Sequence, residues 1–429
     1  METIVLHPPK QGIKNAVIAL EGSKSYTNRA LVMAALAKGK SILVSPSNSD
    51  DSTILIQSLR DLGVSVVKNN TSIEVIGTGG IFKSQAKTIN VGHAGTVMRF
   101  LTALSALIPG EITLDGSSRM RQRPIGELVG ALQQLGINVD HLGDSGLPPL
   151  AVRGRTFKKN EVVISGKVSS QFITALLLIS PCISGGLTIQ ISDEQISKSY
   201  IDMTIEGMNK FGVEVVNDHY KKYTVLPGKG YRATHYVVEG DASGSSYIFG
   251  IAAVSGATIT VSNINPHSSQ GDIHFVDILE QMGCIVIRNS AKNTITLTGP
   301  KKLKCISVNM ESMPDTAQTL AVVAAFAEGT TRIGGLSTLK VKETDRLEAT
   351  KKELNKIGIT CTTTKDSLSI TGGIPHSAEI ETYNDHRMAL AFSIVGSVVD
   401  GLVIGNRQVV NKSFPTYWDV IQKLGICTH

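Results

Sequence analysis

The sequence predicts an α/β protein of two domains, each built from three copies of one repeated unit. Three observations predict it. The chain has 429 residues, more than one ordinary hydrophobic core uses. A helix that ends at glycine and runs into a strand occurs six times, and a segment of small apolar residues recurs with the same period of about 70 residues.

The first repeated phrase is an amphipathic helix followed at once by an alternating strand. A glycine after the last helical turn can take the left-handed backbone that closes a helix without Cβ strain. The copies are SLRDLGVSVV, ALQQLGINVD, GMNKFGVEVV, ILEQMGCIVI, ELNKIGITCT and the truncated VIQKLGICTH. We therefore expect helices to end at Gly63, Gly136, Gly212, Gly283, Gly358 and Gly425.

The second phrase starts with polar residues and continues with small apolar ones, as in KSYTNRALVMAALAKG and PDTAQTLAVVAAFAEG. A helix that is apolar on nearly all sides lies inside its domain, so only its first turn should emerge. Each repeat then contains a strand, a buried helix, a strand, an amphipathic helix and a strand. If the buried helices of both domains point into one cleft, their free N–H groups form an anion site there.

The ends of the repeats suggest where the chain divides. The segment around Glu239 and Gly240 opens the fourth repeat, and we expect the domain junction there. The first strand, near Glu2 to Leu6, precedes the first repeat and can pair with the last one.

The charge pattern indicates small anionic partners rather than nucleic acid. The net charge is +6, from 42 basic against 36 acidic residues, and no block of like charge occurs. Aromatic residues make up 5% of the chain, few for a surface that stacks bases. Basic residues instead fall inside short polar motifs such as GSKS, RMRQRP and NDHR.

The five cysteines form no CxxC pair and no zinc spacing, and METIVLHPPK has no features of a signal peptide. Apolar stretches end after about a dozen residues, short of the roughly 20 that cross a bilayer as a helix. We expect a cytoplasmic protein with no metal site and no membrane span.

Short polar motifs occur where the buried helices should begin. In EGSKSYTNRAL, Lys24, Ser25 and Arg29 can meet one anion, although a capped helix with solvated charges also fits. In GHAGTVMRF, Gly95 lets a ligand approach the helix start, and RMRQRPIG holds Arg123 beside a proline. An exposed basic loop is the alternative for this second region.

Two further helix starts carry hydroxyl, amide and acidic groups. VSSQFITALLL supplies Ser169, Ser170 and Gln171, which suit a phosphate or polyol as well as an ordinary cap. ISKSYID adds Ser197 on weaker grounds. In PDTAQT, Asp315 follows a proline at a helix start, where capping is its ordinary role.

The remaining motifs bring acids and bases together. VKETDRL holds Lys342, Glu343 and Arg346 within five positions, with a solvated helix face as the alternative. YNDHRMAL adds Arg387 at the start of the sixth buried helix, and NKSFPTYW adds Lys412. A solvated or capping role could explain any one of these motifs. Such roles would have to explain the polar residues at every one of these helix starts, so the motifs together favour an anion site.

These motifs resemble those of the 5-enolpyruvylshikimate-3-phosphate synthases, or 3-phosphoshikimate 1-carboxyvinyltransferases, of the enolpyruvyl transferase family. GSKS, AGT with MR, RMxxRPIG, VSSQF, SKxYID, EGDAS, PDxAxT, VKETDRL, YNDHRMA and KxFPxY occur in order over nearly the whole chain. The resemblance implies a two-domain inverse α/β barrel with three βαβαββ units in each domain. It implies one domain of residues 1–20 and 241–429 and another of residues 21–240.

The implied reaction transfers the enolpyruvyl group of phosphoenolpyruvate to the 5-hydroxyl of shikimate 3-phosphate and releases phosphate. It belongs to the shikimate pathway, which leads to chorismate and the aromatic amino acids. It passes through a tetrahedral intermediate and uses no metal or organic cofactor. The implied partners are these two small molecules, with neither nucleic acid nor membrane, and we expect a monomer.

The resemblance assigns two sets of binding residues, which share some members. The set for shikimate 3-phosphate is Lys24, Ser25, Arg29, Ser169, Ser170, Gln171, Ser197, Asp315, Thr338 and Lys342. The set for phosphoenolpyruvate is Lys24, Gly95, Arg123, Gln171, Arg346, Arg387 and Lys412. Its five cations offset the repulsion among two phosphates and a carboxylate.

For the chemistry we assign Asp315 as the base on the attacking hydroxyl and Glu343 as the acid at the methylene carbon. Lys24 is expected to assist proton transfer and the departure of phosphate. Two positions depart from the family pattern, since His93 and Thr338 stand where asparagine is common. Gly95 is kept, so we predict sensitivity to glyphosate, which an alanine at that position would crowd.

Three alternatives differ in chemistry. The sister transferase that acts on UDP-N-acetylglucosamine commonly carries a reactive cysteine in the loop before its RP motif, whereas this loop reads GSSRMRQRP. RNA 3′-phosphate cyclase would need a nucleotide-linked histidine and a more basic groove. A non-catalytic anion-binding protein would have no reason to combine Asp315 and Glu343 with so many cations.

Overall fold

The computed structural model describes residues 2–83, 87–154, 156–228 and 230–429. The chain divides into two compact units. The discontinuous unit comprises Met1–Ser23 and Glu239–His429, and the continuous unit comprises Lys24–Val238. No residue assigned to the site in the sequence lies outside the described ranges.

The strands are short and are numbered in chain order. They are β1 Ile4–His7, β2 Ala16–Ala19, β3 Lys38–Val44, β4 Ser65–Lys68, β5 Ser72–Thr78, β6 Lys87–Asn90, β7 Gly110–Asp115, β8 Asn138–His141, β9 Leu150–Gly154, β10 Glu161–Ile164, β11 Leu187–Ile191, β12 Val216–Asp218, β13 Lys222–Val225, β14 His235–Val237, β15 Thr258–Ser262, β16 Ile285–Asn289, β17 Thr294–Thr298, β18 Leu303–Lys304, β19 Ser307–Asn309, β20 Ala327–Glu328, β21 Thr330–Gly334, β22 Thr360–Thr363, β23 Leu368–Thr371, β24 Glu379–Ile380, β25 Leu402–Ile404 and β26 Cys427–Thr428.

The α-helices alternate with these strands. They are α1 Lys24–Leu36, α2 Asp50–Asp61, α3 Gly95–Ser105, α4 Gly126–Gln134, α5 Ser170–Ile179, α6 Lys198–Lys210, α7 Ala242–Ser255, α8 Phe275–Gln281, α9 Ala317–Ala324, α10 Arg346–Lys356, α11 His386–Phe392 and α12 Tyr417–Lys423. Short 3-10 turns occur at Met120–Gln122, Ser180–Cys182, Gly271–His274, Pro314–Thr316, Ser337–Val341, Val395–Ser397 and Arg407–Lys412.

The continuous unit contains three four-stranded sheets with one shared plan. Their orders are β14-β3-β5-β4, β6-β7-β9-β8 and β10-β11-β13-β12. In each, the first pair is parallel and the next two pairs are antiparallel. The parallel pair requires a crossover, which a buried helix supplies in the second and third sheets.

The discontinuous unit repeats the same plan in the sheets β2-β15-β17-β16, β19-β21-β23-β22 and β24-β25-β1-β26. As predicted, β1 pairs with the last repeat, since it lies antiparallel to both β25 and β26. Five of the repeats therefore have two strands after their second helix, one more than the residue pattern alone indicated. In the sixth repeat only β26 follows the second helix, and β1 from the start of the chain completes the sheet. This two-unit α/β fold confirms the predicted fold class.

At each junction between the two units, the strand pairs in one unit while the helix that follows it along the chain belongs to the other. β2 directly precedes α1, yet it pairs with β15 in the discontinuous unit. β14 directly precedes α7, yet it pairs with β3 in the continuous unit. The chain crosses between units at Ser23–Lys24 and Val238–Glu239, close to the predicted limits at residues 20–21 and 240–241.

The helices α1, α3, α5, α7, α9 and α11 are buried along most of their length, as the small apolar residues predict. In α1 every residue from Tyr26 to Leu36 is buried, whereas Lys24 and Ser25 remain partly exposed. Small residues allow close packing: a Cβ atom on Gly250 of α7 would come within 2.6 Å of the Ile394 side chain. Only the starts of such helices can meet a ligand.

The amphipathic helices end as predicted. The glycines that follow them have φ between 81° and 104°, in the left-handed region that favours glycine. These residues are Gly63, Gly136, Gly212, Gly283, Gly358 and Gly425. Within the described residues, none of the helices combines the length and the apolar character needed to cross a bilayer.

Candidate active site

Arg346 is the centre of a charged network in the discontinuous unit. It opens α10, and its side chain is 2% exposed. Its Nε donates to Oδ2 of Asp385 at 2.7 Å and its Nη2 donates to Oδ1 at 3.2 Å. Asp385 also caps α11, because its Oδ1 accepts from the backbone N–H of Arg387 at 2.9 Å. The start of α11 and the start of α10 are therefore fixed to each other.

Glu343 bridges two cations in this network. Its Oε2 accepts from Nη2 of Arg346 at 2.9 Å, and its Oε1 accepts from Nζ of Lys412 at 2.5 Å. The side chains of Glu343 and Lys412 are 12% and 10% exposed, so water screens the pair weakly. The structure thus joins VKETDRL to NKSFPTYW, two motifs that the family resemblance assigns to one set of binding residues.

Asp315 bridges two guanidinium groups. It lies in the 3-10 turn Pro314–Thr316, which comes before α9 rather than inside its first α-helical turn. Its Oδ1 accepts from Nη1 of Arg346 at 3.3 Å, and its Oδ2 accepts from Nη2 of Arg387 at 2.7 Å. In these contacts Asp315 accepts from two arginine side chains, which is not the capping role that its position suggested.

The network balances three cations against three carboxylates. Burial alone would lower the pKa of Arg346, but the carboxylates of Asp385, Glu343 and Asp315 raise it well above its ordinary value. Arg346 is therefore a permanent positive charge. Charges held this firmly at low exposure can bind a small anion without the entropy cost of ordering flexible side chains.

Two residues beside this network were missed in the sequence. The hydroxyl of Tyr247, on α7, accepts from Nη1 of Arg387 at 3.0 Å. Asp272, in the 3-10 turn Gly271–His274, accepts from the hydroxyl of Ser243. Tyr247 lies among apolar helix residues and Asp272 lies in a loop, so neither stands out as a functional residue in the sequence. The one feature that could have drawn attention to Tyr247 is its position one helical turn after Ser243.

Asp272 has an unusual environment. It is 5% exposed, and within the described residues its Oδ1 has no hydrogen-bond partner. Burial and, to a smaller extent, the nearby Asp315 carboxylate raise the pKa of Asp272 to about 7, while Arg387 opposes both effects. It is thus a buried acid that changes charge near neutral pH.

In the continuous unit, Lys24 begins α1 and its Nζ lies 3.1 Å from Oδ2 of Asp51. Asp51 belongs to the first turn of α2 and is 4% exposed. Sequence reasoning did not select Asp51, because acidic residues are common in first helical turns, where they stabilise the helix dipole. The structure therefore places an ion pair at the start of a buried helix in this unit.

Arg29 is held inside the continuous unit between α1 and α6. Its Nε donates to Oγ1 of Thr204 at 2.9 Å, while Nη1 and Nη2 donate to the carbonyl oxygens of Ser25 and Tyr200, each at 3.0 Å. Burial lowers the pKa of Arg29 to about 10, so it is charged at neutral pH. Three of its five N–H bonds are used by these contacts.

The predicted hydroxyl cluster lies at two other helix starts of the continuous unit. Ser169 caps α5, since its Oγ accepts from the backbone N–H of Gln171 at 3.2 Å, and Ser170 is 6% exposed. Ser197 precedes α6 with a φ of 51° and ψ of 47°, and its side chain makes no capping bond. A left-handed serine costs about 1–2 kcal/mol, and such strain is concentrated at functional positions.

Gly95 and Arg123 are direct neighbours in the continuous unit. A Cβ atom on Gly95 would come within 2.5 Å of Nη1 of Arg123 and within 2.7 Å of its Cζ. Arg123 is 6% exposed, and it follows the turn Met120–Gln122. The missing Cβ at the start of α3 therefore makes room for this guanidinium, a reason for glycine that the sequence did not reveal.

The remaining predicted residues have less specific surroundings. Thr338 lies in the turn Ser337–Val341, and Lys342 follows it with extended backbone; both are half-buried in the discontinuous unit. In the continuous unit, Nδ1 of His93 lies 2.9 Å from the hydroxyl of Ser117. Among the described residues, no cluster of three or more histidine, cysteine or acidic side chains could hold a metal ion.

Known proteins resemble this chain over nearly its whole length. A sequence model of the family described as EPSP synthase (3-phosphoshikimate 1-carboxyvinyltransferase) matches residues 9–421. The chain is 42% identical over 407 residues to a 3-phosphoshikimate 1-carboxyvinyltransferase of Shewanella sediminis, with 94% of this chain and 95% of the relative covered. A protein of the same name from Colwellia psychrerythraea is 41% identical over 430 residues, with 99% and 100% covered.

A solved structure agrees with these sequence matches. EPSP synthase from Acinetobacter baumannii superposes with a TM-score of 0.83 at 25% identity, and the alignment covers 100% of both chains. The α/β architecture is that of a family of transferases for small-molecule substrates. The chain belongs to the EPSP synthase (3-phosphoshikimate 1-carboxyvinyltransferase) family, as its ordered motifs predicted.

Proposed function

We propose that this chain transfers the enolpyruvyl group of phosphoenolpyruvate to the 5-hydroxyl of shikimate 3-phosphate and releases phosphate. One observation carries the proposal. In a member of this family, side chains from four separate motifs form a single network of contacts. These residues are Asp315, Glu343, Arg346, Arg387 and Lys412.

The cations of this network are proposed to bind phosphoenolpyruvate. Guanidinium groups match carboxylates and phosphates with two parallel N–H bonds, and an ammonium adds a compact charge. Arg346 is held firmly by Asp385, whereas Arg387 and Lys412 are bonded to acids that are assigned to the chemistry. The substrate's anionic groups take over Arg387 and Lys412 from Asp315 and Glu343.

This exchange of partners prepares both acids for proton transfer. A carboxylate between two cations holds a proton weakly, because opposite charges favour its ionised form. When the substrate takes Lys412 away from Glu343, Glu343 binds a proton more readily and delivers it to the methylene carbon. Asp315, released from Arg387, accepts the proton of the attacking hydroxyl, whose oxygen bonds to the central carbon to give the tetrahedral intermediate. Both proton transfers then reverse: Glu343 takes a proton back from the new methyl group as the carbon–oxygen bond to phosphate breaks, and Asp315 gives its proton to the leaving phosphate.

Helix starts of the continuous unit are proposed to bind the remaining anionic groups. Ser169 and Ser170 at α5, with Gln171, offer hydroxyl, amide and backbone N–H groups to the shikimate phosphate. Ser25, Arg29 and Ser197 are assigned to the same substrate, as are Thr338 and Lys342. Lys24, Gly95, Arg123 and Gln171 are assigned to phosphoenolpyruvate.

A phosphate-release assay with both substrates tests the function. We expect phosphate only when phosphoenolpyruvate and shikimate 3-phosphate are present together, and a new enolpyruvyl ether by NMR. Replacing shikimate 3-phosphate by UDP-N-acetylglucosamine tests the sister activity, which the absence of a cysteine from GSSRMRQRP disfavours. Substrate binding without turnover would favour a non-catalytic anion-binding protein.

The cellular setting is proposed from the sequence. A cytoplasmic location fits the cysteines, which form no CxxC pair, and light scattering during gel filtration tests the expected monomer. The proposed reaction needs no metal or organic cofactor, so turnover should persist in the presence of a chelator.

A further inference from the structure

Tyr247 holds one of the arginines that the proposed mechanism uses. Arg387 has two terminal nitrogens: Nη2 donates to Asp315 at 2.7 Å, and Nη1 donates to the Tyr247 hydroxyl at 3.0 Å. The two acceptors come from different elements, the turn before α9 and the helix α7. Each terminal nitrogen of the guanidinium group therefore has an acceptor from a different element.

Tyr247 is itself held rigidly. It is 1% exposed, and its ring packs edge-on against that of Tyr417, with the centroids 6.1 Å apart and an interplanar angle of 76°. Aromatic pairs of this geometry are stabilising beyond the area that they bury. The hydroxyl that faces Arg387 therefore has little freedom to move.

We infer that Tyr247 is a positioning residue that fixes the guanidinium plane of Arg387 for phosphoenolpyruvate. The inference rests on the proposed function. Asp315 must leave Arg387 when it acts as a base, so a second acceptor is needed to keep the guanidinium in place. Tyr247 is that acceptor, and nothing in the proposed chemistry requires it to move.

The acceptor is suited to this role because it is neutral. Burial raises the pKa of Tyr247 to about 12, while Arg387 lowers it only in part, so the hydroxyl keeps its proton at neutral pH. A fourth ionised carboxylate at this position would cancel the positive charge that an anionic substrate needs. A tyrosine orients Arg387 and leaves its charge available.

The test compares Tyr247→Phe with Tyr417→Phe by steady-state kinetics. Both changes remove a buried hydroxyl from the same aromatic pair, but the Tyr417 hydroxyl lies 2.5 Å from that of Ser393 rather than on an arginine. For Tyr247→Phe we expect the KM for phosphoenolpyruvate to rise about tenfold, as loss of one hydrogen bond to a charged group predicts. The KM for shikimate 3-phosphate should stay unchanged, and Tyr417→Phe should leave both KM values unchanged.

A double-mutant cycle with Arg387→Lys separates positioning from general damage. Once lysine has replaced the guanidinium group of Arg387, Tyr247→Phe should have no further effect on the KM for phosphoenolpyruvate. An unchanged KM in Tyr247→Phe, an equal rise in Tyr417→Phe, additive effects in the cycle, or failure of Tyr247→Phe to fold would each overturn the inference. An inactive unmodified protein would instead contradict the proposed function.

Discussion

The ammonium nitrogen of Lys412 lies 2.5 Å from a carboxylate oxygen of Glu343, and the other oxygen of that carboxylate binds Arg346. Both side chains are nearly buried, so water screens this contact weakly. Under the proposed mechanism, Glu343 must therefore exchange its contacts with these cations when phosphoenolpyruvate binds.

Glu343→Gln should lower kcat by about 10²–10⁴-fold, because the amide cannot deliver a proton to carbon. The direct measurement is exchange of the methylene protons of phosphoenolpyruvate with deuterated solvent, followed by NMR. Glu348→Gln is a suitable control, since Glu348 is 42% exposed in the same helix region and pairs with Lys351. Exchange at the normal rate in Glu343→Gln would falsify the assignment.

Asp315→Asn should also lower kcat by about 10²–10⁴-fold, since the amide cannot accept the proton of the attacking hydroxyl. Asp277→Asn serves as the control, because Asp277 is 44% exposed and also accepts from an arginine, Arg288. Phosphate release under saturating substrates is the measurement. Near-normal turnover in Asp315→Asn would remove the base role.

Gly95→Ala should raise the KM for phosphoenolpyruvate and weaken inhibition by glyphosate. The added Cβ would lie 2.5 Å from Nη1 of Arg123, so that guanidinium must shift. Gly130→Ala is the matched control in α4, where an added Cβ meets nothing within 4 Å. Equal KM values and equal glyphosate inhibition in the two variants would contradict this. The unmodified enzyme should be inhibited by millimolar glyphosate.

Asp272→Asn should change how stability depends on pH. Because burial raises the pKa of Asp272 from an ordinary 3.8 to about 7, the folded chain resists its ionisation. At pH values below the ordinary pKa, the carboxyl group of Asp272 is neutral in both the folded and the unfolded state, so it does not lower the free energy of unfolding. Between those values the free energy of unfolding falls as pH rises, by at most about 1.4 kcal/mol per unit, and it stays lowered at higher pH.

Urea unfolding at about pH 5 and about pH 8 measures this effect. From about pH 5 to about pH 8, the free energy of unfolding of Asp272→Asn should increase relative to that of the unmodified protein. The relative free energy of unfolding of Asp277→Asn, at an exposed position, should not change. The groups that act on Asp272 are Asp315, Arg387, Ser243 and Asp241. Parallel pH profiles for Asp272→Asn and the unmodified protein would show that Asp272 does not titrate in this range.

Much of the discontinuous unit's site was predictable from the chain. Asp315, Glu343, Arg346, Arg387 and Lys412 were selected from short motifs, and the structure brings all of them together. Each motif had an ordinary capping or solvated explanation by itself, and these five residues were selected because the motifs occur together at helix starts and in the order of the family. Tyr247 and Asp272 were missed, since a tyrosine in an apolar helix and an aspartate in a loop each have a common structural role.

The sequence by itself determined the repeats, the buried helices and the glycines that end their amphipathic partners, because these depend on local periodicity and backbone freedom. Only the tertiary structure decided that Asp315 meets Arg387, 72 positions away, and that β2 and β14 pair outside the repeats they precede. Contacts between distant residues depend on how whole elements pack, and no local pattern specifies which side chains then face one another.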